Sequence, residues 1–135
     1  MNKKYWMIIL GVIILASLLT YKKEIRYDKY AYIKIENKTF DFGTININDT
    51  VNHIFYIKNI SKTPFLINKL LPSCNCTTTT NITKRIIKEN ETSGIEIQFI
   101  ASDKQVGKVR SAILIEGNTV NGIVKLELIG TVKNE

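Results

Sequence analysis

Two cysteines separated by one residue are the most reactive feature of the sequence. Cys74 and Cys76 flank Asn75, and side chains at positions i and i+2 of an extended backbone project to the same side. Their Cα atoms would then lie about 6.5–7 Å apart, at the limit that a disulfide tolerates, so bridging them requires a local kink. The sequence therefore predicts a disulfide or thiol pair here. Because of this kink, such a disulfide would be strained and relatively easy to reduce.

Three interpretations of this cysteine pair stay open. In the first, the pair is a structural staple or a buried thiol pair at a strand end, and an exported location would favour the oxidised form. In the second, the pair cycles between dithiol and disulfide in a thiol-redox accessory protein. In the third, the two thiolates bind Cu(I), which is a soft ion. The first interpretation is favoured and requires no cofactor.

The sequence contains a single histidine, His53, between Val51 and Phe55 on the predicted inner face of a strand. We expect it to be a packed core or rim residue, because a zinc site would need further ligands and a Cys–His nucleophile would need an orienting group. The sequence also shows no phosphate-binding loop and no recognisable pair of catalytic carboxylates. These observations predict a protein without enzymatic activity and without catalytic or metal-ligating residues.

Short alternating runs of apolar and polar residues begin near Ala31 and continue to the end of the chain. Residues 51–58, 109–116 and 124–129 are clear examples, and turn-forming Gly, Pro and Asn residues separate such runs. About seven strands over roughly 105 residues match the size of an immunoglobulin-like sandwich. The sequence therefore predicts an all-β, two-sheet sandwich over residues 31–135.

The N-terminal segment, residues 1–21, has a different character. An uncharged run begins at Trp6 and ends at Leu19, with Lys3 and Lys4 before it. As a helix, residues 5–21 would extend about 25 Å, slightly less than the ~30 Å of a bilayer core. We expect an uncleaved inner-membrane anchor, and a cleaved signal peptide with secretion is the alternative. Residues 22–30 are predicted to be a charged stalk.

The positive charge is concentrated near the N-terminus. Of the formal net charge of +7, four units come from the first 26 residues, where five basic residues occur with one acidic residue. The basic residues of the remaining chain are scattered along the predicted strands and form no stripe. Nucleic-acid binding requires a basic surface, so it is not expected.

Several short patterns follow one another in a fixed order along the predicted sandwich. An aromatic–Asp–Phe–Gly sequence comes first, a strand-ending Asn follows, then Ser-Cys-x-Cys-Thr, and glycines mark the last two strands. Apart from the cysteines, the residues concerned are Phe40, Asp41, Phe42, Gly43, Asn59, Gly107 and Gly130. Over residues 33–132 this combination resembles the bacterial domain of unknown function 1573 family, which is similar to the immunoglobulin-like domains of hydin-type proteins.

Two positions depart from the pattern of that family. Asn75 replaces the usual Gly between the cysteines, and Glu89-Asn90 stands where a Pro-Gly turn is common. The resemblance implies an exported immunoglobulin-like domain and carries no known activity. We therefore expect a membrane-anchored binding or assembly module of the cell envelope, facing the periplasm or the cell exterior, with an envelope protein as its partner.

Overall fold

The computed structural model describes residues 3–20 and 28–134, and within them one α-helix precedes nine β-strands. Helix α1 is Lys3–Thr20. The strands are β1 (Ile33–Ile35), β2 (Thr39–Asn46), β3 (Thr50–Asn59), β4 (Phe65–Pro72), β5 (Thr77–Ile82), β6 (Ile86–Ile87), β7 (Thr92–Ile100), β8 (Gly107–Gly117) and β9 (Ile123–Lys133).

The strands form two sheets that pack face to face. One sheet has the order β1-β3-β7-β5, and the other has the order β2-β9-β8-β4-β6. Neighbouring strands are antiparallel except for β2 and β9, which are parallel. The predicted two-sheet sandwich is confirmed. The strand count exceeds the expected seven because β1 and β6, with three and two residues, are too short to show an alternating pattern.

The core lies between the sheets and follows the alternation of the sequence. In β7, the side chains of Ile95, Ile97 and Phe99 are buried, while the residues between them are half-buried. On the opposite sheet, Ile113 and Leu126 point into the same core. Full burial of one such side chain stabilises the fold by about 1.5–3 kcal/mol, so the inner faces hold the sandwich together.

Helix α1 is apolar on all sides, and its large side chains from Tyr5 to Leu15, including Trp6, are exposed. Position 19 also lies in the helix. Among the residues that the structure describes, no helix combines the length and the apolar character needed to cross a membrane.

The predicted boundaries of the N-terminal segment and the stalk stay predictions. Residues 1–2 and 21–27, which belong to those two segments, lie outside the described residues, as does the last residue, 135. Within the predicted stalk, the backbone carbonyl of Asp28 accepts a hydrogen bond of 2.8 Å from the Thr63 hydroxyl.

Candidate functional site

The aromatic residues of the signature in β2 join the two sheets. The rings of Phe40 and His53 stack with centroids 3.8 Å apart, and those of Phe42 and Phe99 with centroids 5.2 Å apart. Phe42 also covers Gly130, where an added Cβ would overlap the phenylalanine ring. Gly130 therefore permits the close approach of β2 to β9, and these residues have a packing role.

A backbone irregularity in β2 accounts for the remaining signature residues of that strand. The pairing register with β9 shifts between Asp41 and Thr44. Gly43 has a φ of 73°, and its N–H donates a 2.8 Å hydrogen bond to the carboxylate of Asp41. Gly43 suits this left-handed conformation because it has no Cβ. Gly107, at the start of β8, has a φ of 107° for which the same argument holds.

Asn59 is fully buried at the end of β3 and organises the following turn. Its side-chain amide N–H groups donate to the backbone carbonyls of Thr63 at 2.9 Å and Ile87 at 2.8 Å. Its side-chain carbonyl accepts hydrogen bonds from the backbone N–H and the hydroxyl of Ser61. The amide thus uses both donors and both acceptor positions. Asn59 ties the turn to β6 and is structural.

His53 lies at the rim of the core, as the strand alternation predicts. In addition to the stack on Phe40, its ring meets Phe55 edge-on with centroids 4.6 Å apart. Partial burial among these rings lowers the pKa of His53, because the charged imidazolium is poorly solvated there. The neutral form is favoured, and the surroundings are those of a packed residue rather than a catalytic base.

The cysteine pair lies in the turn between β4 and β5. The structure joins Cys74 and Cys76 in a disulfide, with Cα atoms 5.3 Å apart. The segment turns here and supplies the local kink that the bridge requires. The Cα separation falls inside the ordinary disulfide range of about 4.4–6.8 Å.

Two hydroxyl groups lie directly beside the disulfide. The Oγ1 of Thr77, in β5, and the Oγ of Ser111, in β8, are 2.6 Å apart and belong to buried residues. The Sγ of Cys74 lies 3.3 Å from Ser111 Oγ and 3.6 Å from Thr77 Oγ1. The Sγ of Cys76 lies 3.8 Å from Thr77 Oγ1. Both cysteines are half-buried, and Cys76 packs against the core.

A cleft of about 720 Å³ runs beside the same turn, between β4 and β5. Strand β6 covers β4 only at Phe65 and Leu66. In the described part of the chain, residues 68–72 of β4 therefore pair only with β8, and β5 pairs only with β7. The cleft walls include Leu71, Thr79, Lys69 and Arg85, and no acidic residue lines them. Two sheet edges with unused hydrogen-bonding groups thus flank one cleft that carries positive charge.

The signature residues and the cysteines occupy separate places in the fold. The signature residues pack the sandwich, whereas the cysteines lie in the turn between β4 and β5, two residues from Pro72 and Thr78 of the cleft wall. Among the described residues, no group of three or more His, Cys, Asp or Glu side chains could hold a metal ion. Sequence reasoning missed Lys69, Arg85, Thr77 and Ser111, because their proximity depends on how the two sheets pack. The run of threonines from 77 to 80, which suits an edge strand because threonine favours β structure, is the one signal in the sequence.

A family model described as a protein of unknown function, DUF1573, matches residues 33–132 of the chain. The match covers the sandwich from the start of β1 to the penultimate residue of β9. No curated protein has a sequence that matches this chain significantly.

Solved structures with the same architecture are distant in sequence. A protein of unknown function from Porphyromonas gingivalis W83 is 14% identical, with a TM-score of 0.65 over 82% of this chain and 51% of that one. This chain thus spans about half the length of that protein. The ASH/PapD-like domain 7 of human CEP192 is 13% identical, with a TM-score of 0.61 over 84% of this chain and 94% of that domain. At these identities the likeness shows the fold alone.

Proposed function

Because this chain belongs to the DUF1573 family, whose function is unknown, we propose a function from its own geometry: it is a non-enzymatic binding module that adds an extended segment of a partner protein to an open sheet edge. The observation that carries this proposal is the cleft between the unpaired edges of β4 and β5. An exposed edge offers backbone N–H and C=O groups that an extended segment can satisfy as an additional strand.

The hydrogen-bond register of β5 identifies a backbone donor for such a segment. Ile100 donates its N–H to the carbonyl of Cys76 at 2.9 Å. In an antiparallel ladder this makes Thr77 and Phe99 a non-hydrogen-bonded pair. Two residues further on, Thr79 pairs with Ile97 in the same way, just before the register shifts between Thr79 and Asn81. The N–H of Thr79 therefore points away from β7 into the open edge.

The side chains of the cleft indicate the chemistry of the partner. Lys69 and Arg85 are exposed, and among the described residues no ion pair joins either of them to a carboxylate. Leu71 is 46% exposed on the same wall. In an extended segment with an acidic residue beside an apolar one, the acidic residue would face the positive charge and the apolar residue would face Leu71. A protein segment of this composition is the partner that we propose.

We also propose that residues 5–21 hold the chain at the inner membrane and that the sandwich lies on the outer side of that membrane. This part of the proposal is supported by the uncharged run from Trp6 to Leu19, the flanking lysines and aromatic residues, and the exposed apolar side chains of α1. The partner would then be another protein of the cell envelope.

The proposal can be tested by selecting peptides that bind the full chain in detergent from a random peptide library. We expect the selected peptides to share acidic residues next to β-branched or apolar ones. Replacing Lys69→Glu and Arg85→Glu together should weaken their binding at least about tenfold at low salt, with a smaller loss at high salt where charges are screened. The matched control, Lys34→Glu and Lys58→Glu, reverses two charges on the far edge, at β1 and β3. Selected peptides that bind the cleft variant and the control variant equally well would contradict the proposal.

A further inference from the structure

The disulfide rests on a buried pair of hydroxyl groups contributed by opposite sheets. Thr77 is 1% exposed and Ser111 is 2% exposed, although both carry a polar side chain. Thr77 belongs to β5 in the four-stranded sheet, and Ser111 belongs to β8 in the five-stranded sheet. The two buried hydroxyls thus contact each other across the core, beside the disulfide, where they can form hydrogen bonds to its sulfur atoms.

The direction of any hydrogen bond to the disulfide follows from the protons that are present. A disulfide sulfur has no hydrogen, so any hydrogen bond to it must be donated by a hydroxyl. One of the two hydroxyl protons is used in the 2.6 Å contact between Thr77 and Ser111. If Thr77 donates to Ser111, the Ser111 O–H is free to donate to Cys74 Sγ at 3.3 Å. This arrangement satisfies both hydroxyls and directs one proton at Cys74.

From this geometry we infer that the Cys74–Cys76 bond takes part in thiol–disulfide exchange with a protein dithiol, and that Cys74 is the leaving group. A thiolate that accepts a hydrogen bond is stabilised relative to one that does not, and a stabilised thiolate leaves faster. Cys74 has two hydroxyl oxygens within 3.6 Å, whereas Cys76 has one at 3.8 Å. This asymmetry assigns different roles to the two cysteines.

The exchange proceeds in two steps. In the first, a thiolate of the partner attacks Cys76 Sγ and forms a mixed disulfide, while the bond between the two cysteines breaks and its electron pair passes to Cys74 Sγ. In the second, the other thiolate of the partner attacks the partner sulfur that is bonded to Cys76 Sγ. This breaks the mixed disulfide and releases Cys76 as a thiolate. The two released thiolates take protons from solvent. The partner dithiol is thereby oxidised to a disulfide, and two electrons pass to Cys74 and Cys76.

The backbone on both sides of the pair is held independently of the disulfide. Ser73 donates its N–H to the carbonyl of Ala112 at 2.8 Å, and the hydroxyl of Ser73 accepts the Ala112 N–H at 2.9 Å. On the other side, the carbonyl of Cys76 accepts the N–H of Ile100. Because the bridge closes a loop of three residues, it also restricts the unfolded chain very little. The fold should persist in the dithiol form, as an exchange site requires.

The exchange can be tested by treating the oxidised full chain with reduced glutathione, quenching with acid, and mapping the mixed disulfide by peptide mass. We expect glutathione to be attached mainly to Cys76. Ser111→Ala should slow formation of the mixed disulfide roughly tenfold and remove the preference for Cys76. The matched control is Thr78→Val, which removes an exposed hydroxyl of β5, the strand that contains Thr77, and should change neither the rate nor the site.

Attachment of glutathione equally to both cysteines, or mainly to Cys74, would overturn the assignment, and this readout needs only the unmodified protein. A Ser111→Ala protein that folds and reacts at the unmodified rate would likewise show that the hydroxyl pair serves packing alone. Neither result depends on peptide binding in the cleft. The experiments therefore distinguish a failure of the exchange from a failure of the proposed binding function.

Discussion

At the scale of single residues, the positions that match the family pattern form two groups. Residues of the first group pack the sandwich, and the second group consists of the two cysteines. Phe42 and Gly130 fix the distance between β2 and β9, and Asn59 fixes the turn after β3. By contrast, Cys74 and Cys76 form a disulfide in a turn whose residues Ser73 and Asn75 are exposed. A substitution in the first group should act on stability, whereas one in the second should act on sulfur chemistry.

Asn59→Ala is expected to destabilise the sandwich strongly. The substitution removes the side-chain amide donor of the Ile87 carbonyl and one of the two side-chain donors of the Thr63 carbonyl, and it removes the acceptor that holds Ser61. A loss of about 2–4 kcal/mol in the free energy of unfolding should follow. Urea unfolding monitored by circular dichroism measures this change. Asn52→Ala, at an exposed position of the same strand, should stay within about 0.5 kcal/mol of the unmodified protein; equal losses for the two variants would refute the structural role of Asn59.

At the scale of elements, alternation in the sequence predicted the long strands well. The inner faces of β3, β7, β8 and β9 are those that the pattern indicates, because one buried face per strand imposes a period of two. Strands β1 and β6 escaped prediction because they contain too few residues to show a period. The parallel pairing of β2 with β9 also escaped, since it joins segments about 90 residues apart in sequence and depends on tertiary structure.

The turn that carries the cysteines shows a second limit of sequence reasoning at this scale. The residue spacing gave the distance for an extended chain, but Pro72 ends β4 and the backbone turns before β5 begins at Thr77. The disulfide therefore closes at an ordinary Cα separation of 5.3 Å. The cleft and the hydroxyl pair could not be predicted, because residues from both sheets form them.

Helix α1 provides a prediction for the N-terminal segment. Signal peptidase requires small residues at positions −1 and −3 of its cleavage site. No candidate site near the end of the uncharged run has small residues at both positions, so we expect the chain to keep its N-terminus. The intact mass of protein purified from the membrane fraction measures this directly. Recovery of the full-length mass in that fraction is the expected result. A mass short by about twenty residues, with the protein released from the membrane, would replace the anchor with a cleaved signal peptide.

At the scale of the whole molecule, the cleft and the disulfide lie at the same end of the same strands. Strands β4 and β5 form the cleft walls, and the turn that connects them contains Cys74 and Cys76. A segment bound along the cleft would therefore lie beside Pro72 and Thr78, which flank this turn. A partner that offers both an extended acidic segment and a thiol pair would satisfy the two proposals together, although each rests on its own residues.

The central claim is that a partner segment pairs with the open edge of β5, and the backbone N–H of Thr79 tests it most directly. Thr79→Pro removes that N–H at an edge where proline leaves the pairing with β7 intact. Thr79→Val keeps the N–H and the shape of the side chain. The measurement is the affinity of each variant for one selected acidic peptide, determined by fluorescence anisotropy. We predict a loss of about tenfold for Thr79→Pro and little change for Thr79→Val. Equal affinity of both variants, with both folded, would contradict strand addition at this edge.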